Sequence, residues 1–85
     1  MGRYKSQLNA DRDAKLFPHA VDIPVPNRGL GNRMDVMDEW CADHVLDQWA
    51  SHGVRVEYEH RSRYYFHDPH KAALFAETFD GIKVR

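Results

Sequence analysis

The sequence predicts an α+β fold, a ferredoxin-like βαββαβ plait in which a four-stranded antiparallel sheet carries two helices on one face. Apolar residues alternate, as in a half-buried strand, over residues 20–25 and 54–58. They recur at helical spacing over residues 30–45 and 72–79. The resulting order of strand, helix, strand, strand, helix and short strand is that of two split βαβ units. The alternative is a reduced αββα domain, because Pro24 and Pro26 weaken the first strand and residues 82–84 form only a short last one.

The segment from Arg63 to Asp80 carries the clearest signals. Its three consecutive aromatics suit a strand over residues 63–67. Asp68 is a good helix N-cap, and Pro69 fits the first helical position, where its missing N–H would have had no partner. A helix over residues 69–79 should end at Gly81 as the left-handed stop. Its inward stripe consists of Ala72, Phe75, Ala76 and Phe79.

Residues 30–67 predict a longer helix followed by a hairpin. The helix should cover residues 30–44 and close at Gly53 as a left-handed cap. Residues 54–59 and 63–67 should then pair as antiparallel strands through a loop at residues 60–62. The core expected from these periods consists of Ile23, Leu30, Met34, Met37, Cys41, Val54, Val56, Tyr64, Phe66, Ala72, Phe75, Ala76 and Phe79, with Tyr58 also facing inward.

Length and composition indicate one small domain. The 85 residues divide into a predicted flexible arm, residues 1–15, and an α+β domain, residues 16–85. The single Cys41 cannot form an internal disulfide, which suits a reducing compartment. There is no long apolar run, and the first twenty residues lack the apolar centre of a secretory signal, so we expect a cytoplasmic protein.

Two segments carry resemblances. Residues 66–76, with the later Asp80-Gly81, resemble the third strand, second helix and following turn of an RNA recognition motif, which implies the plait fold. Arg61 and Arg63 stand where that family has its two stacking aromatics, and His60 replaces its glycine, so the likeness is one of fold. Residues 24–41 are similar to small uncharacterised bacterial and phage proteins, a likeness that implies no activity.

Cysteine and histidine spacing supplies the candidates for metal or thiol chemistry. Cys41, His44, His67 and His70 are of the residue types that hold zinc in a tetrahedral site. Cys41 with His44 and Asp47 also contains the residue types of a thiol nucleophile. A buried thiol on an apolar helix face and solvated histidines explain the same residues without chemistry, so we expect no cofactor and no enzymatic activity.

The predicted working surface is the sheet face that points away from the helices. With Val54 and Val56 inward, that face should present Arg55, Glu57, Arg63, Tyr65 and His67, with Asp22 near them. Such amphipathic and planar side chains favour a protein-binding module that recognises another protein or a second copy of itself. A solvated sheet face, a nucleic-acid-binding domain, and a zinc-dependent or thiol enzyme are the alternatives.

Overall fold

The elements of this α+β fold follow the predicted order in a computed structural model that describes residues 12–85. A helical segment, residues 12–16 (α1), precedes an antiparallel sheet of strand order β2-β3-β1-β4. The predicted α+β class with a four-stranded antiparallel sheet is confirmed. The elements are β1 His19–Pro24, α2 Asn32–His44, β2 Trp49–Val56, β3 Glu59–Phe66, α3 Pro69–Phe79 and β4 Ile82–Lys83.

Helix α3 begins as its sequence predicts. The Asp68 carboxylate accepts a hydrogen bond from the backbone N–H of His70 at 2.8 Å, and Pro69 occupies the first turn. The helix ends differently, because the left-handed residue is Asp80, with φ 55°, and not Gly81. Gly81 is required for a different reason. A Cβ there would lie 2.5 Å from Val21 Cγ1 and 2.9 Å from Ile23 Cδ1, so the chain passes β1 at a distance that only glycine permits.

Helix α2 ends at His44, well before the predicted cap at Gly53. The Val45 N–H bonds to the Cys41 carbonyl at 2.8 Å, and Leu46 then turns the chain with φ 62°. The chain can therefore enter β2 at Trp49, and Gly53 lies inside that strand. The prediction of a helix cap at Gly53 is wrong because an ordinary residue, Leu46, makes the left-handed turn.

The hairpin between β2 and β3 is antiparallel, as predicted, but its loop lies elsewhere. Val56 pairs with Glu59, so the loop is Glu57-Tyr58 and residues 60–62 belong to β3. Because side chains alternate along a strand, this register places Trp49 and Ser51 on the sheet face that carries α2 and α3 (the helix face). Val54 and Val56 lie on the opposite face (the outer face), so their predicted inward position is wrong.

The core lies between the helix face and helices α2 and α3. Of the predicted core, Leu30, Ala76 and Phe79 are only partly buried against it, and Met34 is 40% exposed, so its assignment is wrong. Met34 occupies the first turn of α2, and the buried residues of that helix are Met37 and Cys41, further along it. The buried cluster comprises Val21, Ile23, Met37, Cys41, Val45, Tyr64, Phe66, Ala72 and Phe75.

The N-terminal segment was predicted as a flexible arm over residues 1–15. Residues 1–11 of that prediction lie outside the described part of the chain, whereas residues 12–16 are helical. The Phe17 N–H bonds to the Asp13 carbonyl at 2.8 Å, and β1 follows at His19. Within residues 12–85, no helix is both long and apolar enough to cross a bilayer.

Candidate protein-binding surface

The outer face is centred on a buried carboxylate that ties β1 to β3. Asp22 has no exposed side-chain surface, and Arg63 donates to both of its oxygens, from Nε at 2.6 Å and Nη2 at 2.9 Å. Arg61 adds a contact from Nη1 to Asp22 at 3.3 Å and donates from Nε to Glu59 at 2.7 Å. A two-pronged arginine contact of this kind is among the strongest polar interactions in proteins. These arginines are therefore engaged within the sheet.

The protonation of both arginines is reinforced by these contacts. The hydrogen bond to Asp22 is the main cause that raises the pKa of Arg63. For Arg61 the main cause that raises the pKa is the hydrogen bond to Glu59. Both guanidinium groups keep their positive charge, and the two carboxylates balance it locally.

Tyr65, the predicted aromatic centre of the outer face, is only 4% exposed. Its ring meets the imidazole of His52 edge to face, with centroids 5.8 Å apart. His52 Nε2 in turn lies 2.7 Å from Asp13 Oδ2, so α1 contacts this face of the sheet. The expected open surface around Tyr65 is thus buried, because its neighbours and the segment before β1 pack against it.

The other predicted surface residues are not brought to one place. Arg55 belongs to the helix face, because it pairs with His60 on the side of the sheet that carries Tyr64. It lies on the edge strand β2, and its side chain is exposed. Glu57 is in the hairpin loop, and His67 follows the last residue of β3. Only Arg63 and Tyr65 of the predicted set share the outer face, since β2 begins five residues earlier than expected and its alternation is reversed.

The hairpin tip is the feature that sequence reasoning missed. Glu57 and Tyr58 both have left-handed backbones, with φ 49° and 70°, although neither is a glycine or asparagine. Such φ values are uncommon outside those residues. Tyr58 is 91% exposed, the highest value among the large apolar side chains of residues 12–85. A loop that normally uses Asn-Gly thus holds an aromatic ring out in solvent.

The zinc candidates separate in the structure. Cys41 is buried in the core, whereas His44 stacks on the Trp40 ring with centroids 4.4 Å apart. His44 and His67 do line one open groove of about 210 Å³, together with Val45, Gln48, Asp68 and Lys71. Residues 12–85 contain no group of three His, Cys, Asp or Glu side chains that is arranged for a metal ion. His70 lies in the first turn of α3 and does not line the groove.

The pKa of the Cys41 thiol is shifted in the direction that disfavours a nucleophile. Burial, with a contribution from the charge on Asp38, raises the pKa of Cys41 to about 12. A reactive cysteine requires the opposite shift, because the thiolate is the attacking species. Asp38 is itself engaged, since it accepts a hydrogen bond from the Tyr64 hydroxyl at 2.5 Å. Burial and this bond raise the pKa of Tyr64 as well.

The two tryptophans are partly buried against the core. Trp40 meets Phe75 and Phe79 edge to face, at centroid distances of 5.6 and 6.0 Å. Trp49 stacks on Tyr64 at 6.0 Å, and its Nε1 donates to the Leu46 carbonyl at 2.9 Å. Each ring is therefore held in place by the core and keeps part of its surface exposed.

Comparison of the chain with protein-family models, curated protein sequences and solved structures gives no match.

Proposed function

We propose that this chain is a small protein-binding module without enzymatic activity, and that it binds through the tip of the β2–β3 hairpin. The observation that carries the proposal is the 91% exposure of Tyr58 on a loop whose two residues are both left-handed. Tyrosine is enriched at protein interfaces because it combines a large apolar ring with a polar end and loses little conformational freedom when it binds.

The backbone of the loop supports this assignment. Left-handed φ values cost roughly 1–2 kcal/mol per ordinary residue, and strained residues of this kind cluster at functional positions. Neither side chain of Glu57-Tyr58 is buried, so core packing does not require either residue type here. A role in binding accounts for an aromatic at a position where glycine would be more stable.

The surroundings of the tip fit a binding site with a polar rim. The exposed Arg55, Glu59 and His60 flank Tyr58, and half-buried Val56 lies at the base of the loop. A central aromatic anchor with charged neighbours is the common arrangement at protein interfaces. By contrast, the outer face holds Arg61 and Arg63 in internal ion pairs, which leaves less free positive charge for the nucleic-acid alternative.

The proposal is tested by capture of partners on the immobilised full chain. Proteins retained by the wild type should be lost with Tyr58→Ala and kept with Leu74→Ala, a control that removes another exposed apolar side chain, 43% exposed on α3. A second copy of the chain, supplied in labelled form, belongs among the candidates. If Tyr58→Ala retains every partner that the wild type retains, the hairpin tip is not the binding site.

For the architecture, we propose the ferredoxin-like plait. The strand order β2-β3-β1-β4 supports it, together with antiparallel pairing throughout, α2 between β1 and β2, and α3 between β3 and β4. We also propose that the fold is like that of RNA recognition motifs and that the protein is cytoplasmic. A solution structure in which both β1 and β4 failed to pair with the sheet would leave the reduced αββα domain as the better description.

A further inference from the structure

We propose that the partner is a second copy of this chain, and that the two copies join their sheets by antiparallel pairing of β2 with β2 across a two-fold axis at His52. This inference rests on the proposed function, since it names the partner bound at the hairpin. Strand β2 is an edge of the sheet and, over its eight residues, contains no proline or lysine to discourage pairing.

The hydrogen-bonding phase of β2 shows which groups point to the free edge. In a hairpin with a two-residue loop, the closing pair, here Val56 and Glu59, exchanges hydrogen bonds within the hairpin. Even-numbered residues of β2 therefore bond to β3. The His67 N–H donates to the Gln48 carbonyl at 3.4 Å, which agrees with this phase. The outward-pointing backbone groups then belong to Trp49, Ser51, Gly53 and Arg55.

A two-fold axis at His52 satisfies these groups. Residues equally far from His52 on either side then pair, so Ser51 meets Gly53 of the second copy and Trp49 meets Arg55. Each of these four residues is edge-directed, so the register forms about eight backbone hydrogen bonds across the axis. The Trp49–Arg55 pair places a guanidinium beside an indole, which is a favourable contact.

The same register accounts for two exposed apolar residues. Leu46 and Tyr58 are 73% and 91% exposed, the two highest values among the large apolar side chains of residues 12–85. Each is six residues from His52, so the axis brings Leu46 of one copy toward Tyr58 of the other. Because the axis generates the contact twice, all four of these side chains would be covered. Leu46 lies beside Trp49, because the Trp49 indole N–H donates to the Leu46 carbonyl. Each Leu46–Tyr58 contact between the copies would therefore lie next to a Trp49–Arg55 pair.

Sedimentation velocity on the full chain over a micromolar to millimolar range tests the proposal. The wild type should dimerise reversibly. Gly53→Pro removes an N–H that points to the free edge and that the β2–β3 ladder does not use. It should raise the dimer Kd by at least about tenfold. Gly53→Ala is the matched control, because a Cβ at this position meets nothing within 4 Å and the N–H remains. It should dimerise like the wild type.

Disulfide cross-linking tests the register and does not depend on proline. A mixture of Leu46→Cys chains with Tyr58→Cys chains should cross-link under mild oxidation. Either variant alone should not, because identical positions lie at least about 20 Å apart across the axis. A mixture of Leu46→Cys with Leu74→Cys chains is the control for random collision. Cross-links confined to the first mixture, with dimerisation lost in Gly53→Pro, would support the proposal.

Three results would overturn it: a wild type that stays monomeric to millimolar concentration, a dimer unaffected by Gly53→Pro, or equal cross-linking in both mixtures. A monomeric wild type that still captures an unlike protein through Tyr58 would overturn only the second copy as partner. A monomeric wild type with no Tyr58-dependent capture would overturn the proposed function as well.

Discussion

Replacing Glu57-Tyr58 with Asn-Gly should stabilise the folded protein. Both residues have left-handed backbones, which cost roughly 1–2 kcal/mol each in ordinary residues. Glycine removes most of that cost at position 58 but makes the unfolded chain more flexible, which costs about 0.5–1 kcal/mol. We therefore expect the free energy of unfolding to rise by about 1–2 kcal/mol. For a domain of this size, Tm should then rise by roughly 4–16 °C.

Urea denaturation followed by circular dichroism measures the change, and two single variants, Tyr58→Gly and Tyr58→Ala, isolate its cause. Tyr58→Ala removes the same aromatic ring as Tyr58→Gly but keeps a Cβ, so it retains the strain. Only the glycine variant should be more stable than the wild type. If alanine and glycine at position 58 give the same midpoint, or if Asn-Gly lowers it, backbone strain is not stored in this loop. The stabilised variant should also lose Tyr58-dependent binding, so stability and function would change in opposite directions.

Three further predictions concern the core, the close approach at Gly81 and alkaline stability. Phe75→Ala should lower the free energy of unfolding, measured by urea denaturation, by roughly 3–5 kcal/mol. The Phe75 ring is fully buried and contacts the rings of Tyr64 and Phe66 at centroid distances of 4.7 and 5.2 Å. Leu74→Ala, the control on the same helix, should lower it by less than about 0.5 kcal/mol. Gly81→Ala should lower the free energy of unfolding by about 1–3 kcal/mol, because its Cβ would overlap Val21. Gly53→Ala should leave it unchanged, because a Cβ at position 53 meets open space. Equal Tm values for the two variants would contradict the close approach of Gly81 to β1. The folded-state pKa of Cys41 is raised from 9.0 to about 12, so below pH 9 both states keep the proton and above it only the unfolded state loses it. The free energy of unfolding should thus fall between pH 9 and 12, by about 1–2 kcal/mol at about pH 10.5 relative to about pH 8. If a Cys41→Ala variant loses the same amount over this range, the thiol is not the source of the loss.

The sequence predicted those elements whose signals are local. Asp68-Pro69 marks the start of α3, and the Ala/Phe stripe marks its buried face, because capping and helical period depend on residues within one or two turns. The antiparallel hairpin was also predictable, since alternation and aromatics stand on both sides of a short loop. These features need no knowledge of the rest of the chain.

The register of β2 could not be predicted in the same way. The alternation of Val54 and Val56 with charged residues indicates a strand with one apolar face, but it does not say which side of the sheet that face meets. Which side that face meets depends on the turn after α2. Leu46, although not a glycine, adopts a left-handed backbone there, and β2 can then begin at Trp49. Once Trp49 stacks on Tyr64, Val54 and Val56 must lie on the outer face.

The candidate binding surface also differs from the predicted one, because it depends on contacts and a strand register that local sequence patterns do not fix. Arg63 and Tyr65 were correctly placed on the outer face, but the burial of Tyr65 depends on contacts between distant segments, such as Asp13 with His52. Tyr58 was expected inside the protein, and only the position of the hairpin loop reveals it as the most exposed aromatic of the described chain.

The ion pairs of the buried Asp22 with the partly exposed Arg61 and Arg63 limit how this sequence can change over evolutionary time. Loss of Asp22 alone would leave two adjacent guanidinium groups without their shared partner, and loss of Arg63 would leave a fully buried carboxylate with one weaker contact at 3.3 Å. Breaking such a pair typically costs about 3–5 kcal/mol, a large part of the roughly 5–15 kcal/mol that stabilises a small domain. Replacing all the charges with apolar residues can be neutral. Descendants of this chain should therefore keep the aspartate with its arginine or have lost both, and sequences that keep only one should be rare.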